Sequence, residues 1–276
     1  MKRYKRAFST LTCMGADLDE TLMYAQKANI RALEIRLEKD DTVCGYGIDR
    51  AEEVKTKFAA AGCVIVDLAT SVGVADKNDK ALERAERCID LAAALGAKAI
   101  RIFAGGSIKT FDEVPVQNFD GIAVTLREMC AYAKAKNVEV WAETHNALST
   151  AKSICRLCDL VGDDNLKVLW DVVHSIEFHE PVEESVKIIG DRLSHIHIKD
   201  AVRQEDKTLT QYRHTALGEG DMPLGKVLSL LDAADYDGYI SLEWELPWRP
   251  ELAGCYPDAD ATLAAFNRWM DEAEQA

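Results

Sequence analysis

The chain is 276 residues long, 48% apolar, and carries 33 Lys plus Arg against 47 Asp plus Glu, for a net charge of −14. That acid excess excludes a sequence-independent grip on phosphate backbones and points to small-molecule partners rather than nucleic acid. The length fits a single domain over 1–276, and no long apolar run follows the basic start MKRYKRAFSTLTCMGADLDE, so neither a secretory signal nor a membrane span is expected and a cytoplasmic location is.

In chain order the unit is a short apolar strand followed by an amphipathic helix. Residues 7–12 (AFSTLT) read as the first strand, and 18–29 as a helix with Asp17 placed to cap it. The second strand is 32–37 (ALEIRL), a helix follows over 49–61, and 63–68 (CVIVDL) is the third strand. A long helix over 78–95 stops at Gly96, and 98–103 (KAIRIF) is the fourth strand. The same rhythm gives a helix over 118–136, a strand over 138–143 (VEVWAE), a helix over 148–160 and a strand over 166–171 (LKVLWD). Helix 181–190 leads to strand 193–198, and a longer loop over 200–221 turns at Gly218-Glu-Gly220. Helix 223–235, strand 238–243 (GYISLE) and helix 258–274 complete the chain. Eight such units without a break in composition predict one α/β fold, a single (β/α)8 TIM barrel. A doubly wound open sheet would want a glycine-rich phosphate loop after an early strand, and there is none.

Eight cysteines are scattered through the chain, and reduced thiols are expected in the absence of a signal peptide. Cys155 and Cys158 form a C-x-x-C within a stretch of helical character. With no second metal-spaced pair, packing is the expected role.

The chemistry collects at strand ends. In a parallel barrel the functional face is at the C-terminal ends of the strands, and four successive strands end there in metal-type ligands: Glu143, Asp171, His197 and Glu243. A lone acid after a strand is more often a cap or a surface group, but four at corresponding ends form a set. Three carboxylates and one imidazole suit one divalent cation, Mn2+, Co2+, Mg2+ or Zn2+, with Mn2+ preferred; without a cation the carboxylates would repel one another. In SHIHIKD, strand alternation puts His195, His197 and Lys199 on one face and Ile196 and Ile198 on the other. His195 sits one layer deeper than His197 and is read as buried support. All six histidines fall between 145 and 214. Glu245 shares the inward phase of Glu243, and Glu243 is preferred because it directly ends the apolar strand. Lys199 and Arg213 are candidates to bind a substrate carboxylate or phosphate, against surface pairing with Asp200 or Glu219. Glu34 and Arg36 on the second strand have one inward member by alternation, and Glu34 is taken as contacting substrate or supporting the site. Trp141, Phe103 and Trp244 are read first as core.

These motifs are E-x-H at Glu143/His145, D-x-x-H at Asp171/His174, H-x-H-x-K-D at 195–200, G-E-G at 218–220 and the strand-end Glu243. In this order they resemble the xylose isomerase-like TIM-barrel superfamily of sugar isomerases and epimerases, with its dehydratase and apurinic endonuclease branches. The motifs span roughly 138–245, and the eight-unit rhythm extends the likeness over the chain. In tagatose 3-epimerase-like members, the resemblance implies, the positions of Glu143, Asp171, His197 and Glu243 hold the metal and the two glutamates also exchange protons with the substrate. His174 would contact a substrate oxygen, with His145 also in the substrate-binding set.

The leading expectation is a divalent-metal-dependent isomerase or epimerase acting on a keto-sugar or related polyol through an enediolate. Glu143 and Glu243 would approach opposite faces of the sugar, one removing and one returning a proton. The alternative is a metal-dependent dehydratase, a lyase of an inosose- or dehydroshikimate-like substrate, in which the same carbanion expels a hydroxyl. A phosphodiesterase is disfavoured by the acidic charge and by too few histidines for a multi-zinc cluster, and a non-catalytic sugar-binding barrel by the intact ligand set. A homo-oligomer is left open.

Overall fold

A computed structural model of the chain describes residues 4–75, 80–108, 116–204 and 212–275. Ten strands are present among them: β1 (Lys5–Ser9), β2 (Ala32–Arg36), β3 (Val64–Gly73), β4 (Ala99–Phe103), β5 (Glu139–Glu143), β6 (Leu166–Asp171), β7 (Leu193–Ile198), β8 (Asp200–Arg203), β9 (Tyr212–Thr215) and β10 (Tyr239–Leu242). Eight of them close into a parallel barrel in the order β1-β10-β7-β6-β5-β4-β3-β2. The helices are α1 (Leu18–Ala28), α2 (Ala51–Ala61), α3 (Lys80–Leu95), α4 (Phe119–Ala135), α5 (Ala151–Val161), α6 (Val172–Glu177), α7 (Val182–Ile189), α8 (Leu224–Ala233) and α9 (Ala259–Ala273). This is the (β/α)8 barrel that the strand-helix rhythm predicts. The expected start of α3 at Asn78 lies outside the described residues.

Local chemistry explains where these elements begin and end. Asp17 caps α1 by accepting from the Glu20 amide, and Glu20 reaches back to the Asp17 amide, forming a reciprocal capping box. Gly96 follows α3 at φ +74°, a left-handed conformation that a side chain would strain. The first strand is earlier than its apolar run suggests: β1 ends at Ser9, whose hydroxyl accepts from the Leu11 amide and turns Thr10–Cys13 into a 3-10 helix.

Two apolar layers result. Ile196 and Ile198 of β7 pack outward into the strand-helix core, whereas His195 and His197 point into the barrel, as alternation predicts. Inside, Ala7, Ala32 and Ala99 leave room for Trp141, which with Val66 and Leu169 forms a separate inner cluster. Trp141 stacks on His195 with ring centroids 5.3 Å apart. All eight cysteines are free, and Cys155 and Cys158 are both buried on α5, consistent with packing.

The segment read as one long loop over 200–221 contains structure. β8 and β9 pair antiparallel, Asp200 opposite Thr215 and Arg203 opposite Tyr212, around 205–211, which lie outside the described residues. Asp200 explains the glycines of G-E-G. Its carboxylate accepts from the amides of Ala201, Gly218, Gly220 and Met222 at 2.9, 2.8, 3.1 and 3.3 Å, and a Cβ on Gly220 would fall 2.0 Å from it. Among the described residues, no helix is long and apolar enough to cross a membrane.

Candidate active site

Four neighbouring strands, β5, β6, β7 and β10, deliver Glu143, Asp171, His197 and Glu243 to one point at the C-terminal mouth. One ligand atom from each lies within 4.8 Å of the others, and all four residues are buried. The register accounts for this convergence: Asp171 pairs with His197, and the Glu243 amide continues the ladder to the Ile198 carbonyl at 3.2 Å. His197 Nδ1 faces Glu243 at 3.4 Å, Glu143 at 3.7 Å and Asp171 at 3.8 Å. Glu243, not Glu245, belongs to this quartet.

Three of the four donors are held from behind. Asp171 Oδ1 caps α6, accepting from the Val173 and His174 amides at 3.0 and 3.2 Å, which leaves Oδ2 directed inward. Thr144 fixes the backbone beside it through the Asp171 amide at 2.9 Å. Arg101 of β4 pairs with Glu143 at 3.1 Å, both side chains almost wholly buried. Glu34 of β2 takes the other nitrogen of His197, Nε2, in a close contact, and reaches His195 Nε2 at 3.3 Å. Glu34 therefore sits behind a histidine rather than facing open space.

A divalent cation fits this donor set. His197 Nδ1 has no hydrogen-bond partner although it is buried and turned toward three carboxylates, and a buried polar atom in that position is costly unless something occupies the space between them. Holding Nε2–H on Glu34 would leave Nδ1 as the free lone pair, the arrangement in which a carboxylate orients a metal-binding imidazole.

The other residues singled out in the sequence divide. Lys199 Nζ lies 2.7 Å from Asp171, 2.5 Å from Glu243 and 3.0 Å from Glu245. Burial works against its charge, yet these three carboxylates hold it well above the ordinary lysine range. His174 lies 3.7 Å from Asp171 and 3.2 Å from Glu177. Burial opposes its protonation, but Asp171 and Glu177 outweigh that and hold it at about 9. His145 packs edge-on against His174 and beside Phe103; burial, reinforced by His174, pulls it down to about 3. The pair thus offers one charged and one neutral imidazole at neutral pH. Arg213 is not brought to the cluster: its side chain is exposed on β9 between buried Tyr212 and His214. Trp244 packs against Tyr256 at 5.2 Å, away from the inner layer that holds Trp141.

Sequence reading missed Arg101, Asp67 and Glu177. Asp67 is fully buried, neither of its oxygens has a hydrogen-bond partner, and burial together with the charge of Glu34 lifts its carboxyl well above the usual range. A signal existed for two of them, a charged residue in the middle of the apolar strands KAIRIF and CVIVDL, where burial without a purpose is costly.

Comparison with known proteins agrees with this architecture. An inosose dehydratase of Clostridium perfringens is 26% identical over 181 residues, covering 56% of this chain and 60% of the relative. A fructoselysine 3-epimerase of Escherichia coli O157:H7 is 28% identical over 127 residues, 44% of each chain. The matched stretches thus span roughly half of these curated relatives. A D-psicose 3-epimerase of Clostridium cellulolyticum H10, solved with D-tagatose, superposes over 96% of this chain and 98% of its own, with a TM-score of 0.78 at 15% identity, a likeness of fold. The profile of one family covers residues 22–272, nearly the whole chain, and the chain belongs to that family, the xylose isomerase-like TIM barrels.

Proposed function

We propose that the chain is a divalent-metal-dependent isomerase or epimerase of a keto-sugar or related polyol. The observation that carries this reading is the meeting of Glu143 and Glu243, from opposite ends of the donor arc β5-β6-β7-β10, at one buried point with His197 and Asp171. The ion held by these four would supply Lewis-acid stabilisation to negative charge developing on a substrate carbonyl oxygen. The chain's own groups do the proton work. Glu143 and Glu243 enter from different strands and reach different sides of a bound carbon, one accepting its proton and the other returning one to the opposite face, which inverts it. Arg101 holds Glu143 in its ionised, proton-accepting form. The relatives support a carbohydrate substrate: one is named as a fructoselysine 3-epimerase and another as an inosose dehydratase.

A second reading, dehydration, is favoured by His174. It lies 3.7 Å from Asp171 and 3.2 Å from Glu177, and in its protonated form it would give a proton to a departing hydroxyl, which leaves as water as the same carbanion collapses to an alkene. Proton NMR in D2O with Mn2+-loaded protein and a panel of keto-sugars and inososes separates the two. Epimerisation gives deuterium at one carbon and a new diastereomer, whereas dehydration gives a conjugated ultraviolet chromophore. Deuterium entry that persists after the metal is stripped would overturn the metal-dependent mechanism.

A further inference from the structure

The donor quartet occupies only one arc of the mouth. Its strands, β10, β7, β6 and β5, are consecutive in the barrel, and beyond β10 the rim continues with β1 and β2. A cavity of about 980 Å3 lies on that side, walled by the 3-10 turn after β1, the end of β2 and the segment that follows β10. This is the upper end of the range, roughly 300–1,000 Å3, occupied by drug-sized ligands, and a monosaccharide alone would leave most of it wet.

The wall has a definite character. Among the described residues, eight large hydrophobic side chains are exposed, and three of them, Met14, Leu246 and Trp248, at 60, 41 and 52% exposure, line this one cavity. Leu246 and Trp248 follow Glu243 by three and five residues, and the cavity lies at the C-terminal ends of β1 and β2, the same end of the barrel as the donor cluster, although none of the four donors lines it. The ionisable side chains in the wall cancel: Arg36 and Lys39 oppose Glu20 and Glu38. Arg36 is also committed, donating to the Ala69 carbonyl at 2.9 Å and the Ser71 hydroxyl at 2.6 Å. With the charges of the wall balanced, no net positive charge favours a phosphate or carboxylate there, while the indole of Trp248 and the thioether of Met14 in the same wall suit an aromatic face.

We propose that the substrate is a sugar conjugate, a keto-sugar carrying an uncharged aromatic or similarly apolar substituent, and that Met14, Leu246 and Trp248 form the subsite for that substituent. The assignment rests on the proposed sugar chemistry for its sugar half and on the cavity for the rest. The test is binding to the full, Mn2+-loaded chain by calorimetry, with 4-nitrophenyl β-D-glucopyranoside and methyl β-D-glucopyranoside as unreactive probes. The aryl glycoside should bind about tenfold or more tighter than the methyl glycoside, the change expected when a ring leaves water, and should quench Trp248 fluorescence. Met14→Ala and Trp248→Ala, both at exposed positions, should each reduce the aryl-to-methyl ratio severalfold. Equal affinity for the two probes overturns the proposal. So does an unchanged ratio in both variants, or a change of oligomeric state in Trp248→Ala without a change in ratio, which would make the patch a contact between copies. The two readings fail separately: aryl preference without deuterium exchange on any keto-sugar sinks the chemistry alone, and exchange without aryl preference sinks the subsite alone.

Discussion

The two halves of the barrel carry their charges for different purposes. β5, β6, β7 and the end of β10 present Glu143, Asp171, His197 and Glu243 directly to one another. β2, β3 and β4 carry Glu34, Asp67 and Arg101, also buried; Glu34 reaches across the barrel interior to the back of His197, and Arg101 reaches Glu143 on the adjacent strand β5. Under the proposed function, one half would hold the ion and the other would orient its donors. A barrel suits this division because inward side chains from well-separated strands meet along the axis. The orienting half is therefore fixed by the closed sheet rather than by loops, and changes in the two halves should fail in different ways.

The largest effect should come from the donating half. Glu243→Gln or Glu143→Gln removes a proton carrier while keeping volume, and solvent-exchange NMR should show a loss of about 10²–10⁴-fold with unchanged circular dichroism. Full exchange in both variants would remove the two-glutamate mechanism. Next is Arg101→Met in the orienting half. It strands the Glu143 carboxylate in a buried site, and denaturant unfolding of the metal-free protein should register a loss of about 3–5 kcal/mol. That outcome would mark the orienting half as the one on which folding depends. Smaller again is Glu34→Ala. With no acceptor on Nε2, His197 is free to take the wrong tautomer or turn, and Mn2+ affinity by calorimetry should fall about 10–100-fold. Glu34→Gln, which keeps an acceptor oxygen, should fall less, and identical Mn2+ affinity in Glu34→Ala would show that the contact does not orient the imidazole.

The same division explains what could be read from the sequence. The barrel was legible because strand and helix periods alternate eight times, and the quartet was legible because each donor ends or directly follows an apolar strand, where a polar residue stands out. Arg101 and Asp67 lie within strands, and their significance depends on what the neighbouring strand brings beside each of them, Glu143 of β5 beside Arg101 and Glu34 of β2 beside Asp67, a matter of register that no local window contains. The β8–β9 hairpin was missed because its strands have four residues each and no strong alternation. G-E-G was visible as a turn, but its reason, the carboxylate of Asp200 accepting four amides, requires two segments about twenty residues apart to be seen together.

The smallest effect is expected at Arg213, a position that belongs to neither half. The sequence names it with Lys199 as a candidate cation for a substrate carboxylate or phosphate, against surface pairing with Asp200 or Glu219. Their environments differ completely. Lys199 is buried among three carboxylates, whereas Arg213 is exposed on the outer side of β9, where alternation turns its neighbours Tyr212 and His214 inward. An exposed cation with no part in a buried network contributes little, so Arg213→Ala should change stability by less than about 0.5 kcal/mol and exchange by less than about twofold. A loss near Glu243→Gln levels would require the hairpin to fold over the mouth when substrate binds, bringing Arg213 to the donor side, and the boundary between donating and orienting strands would then have to be redrawn to include it.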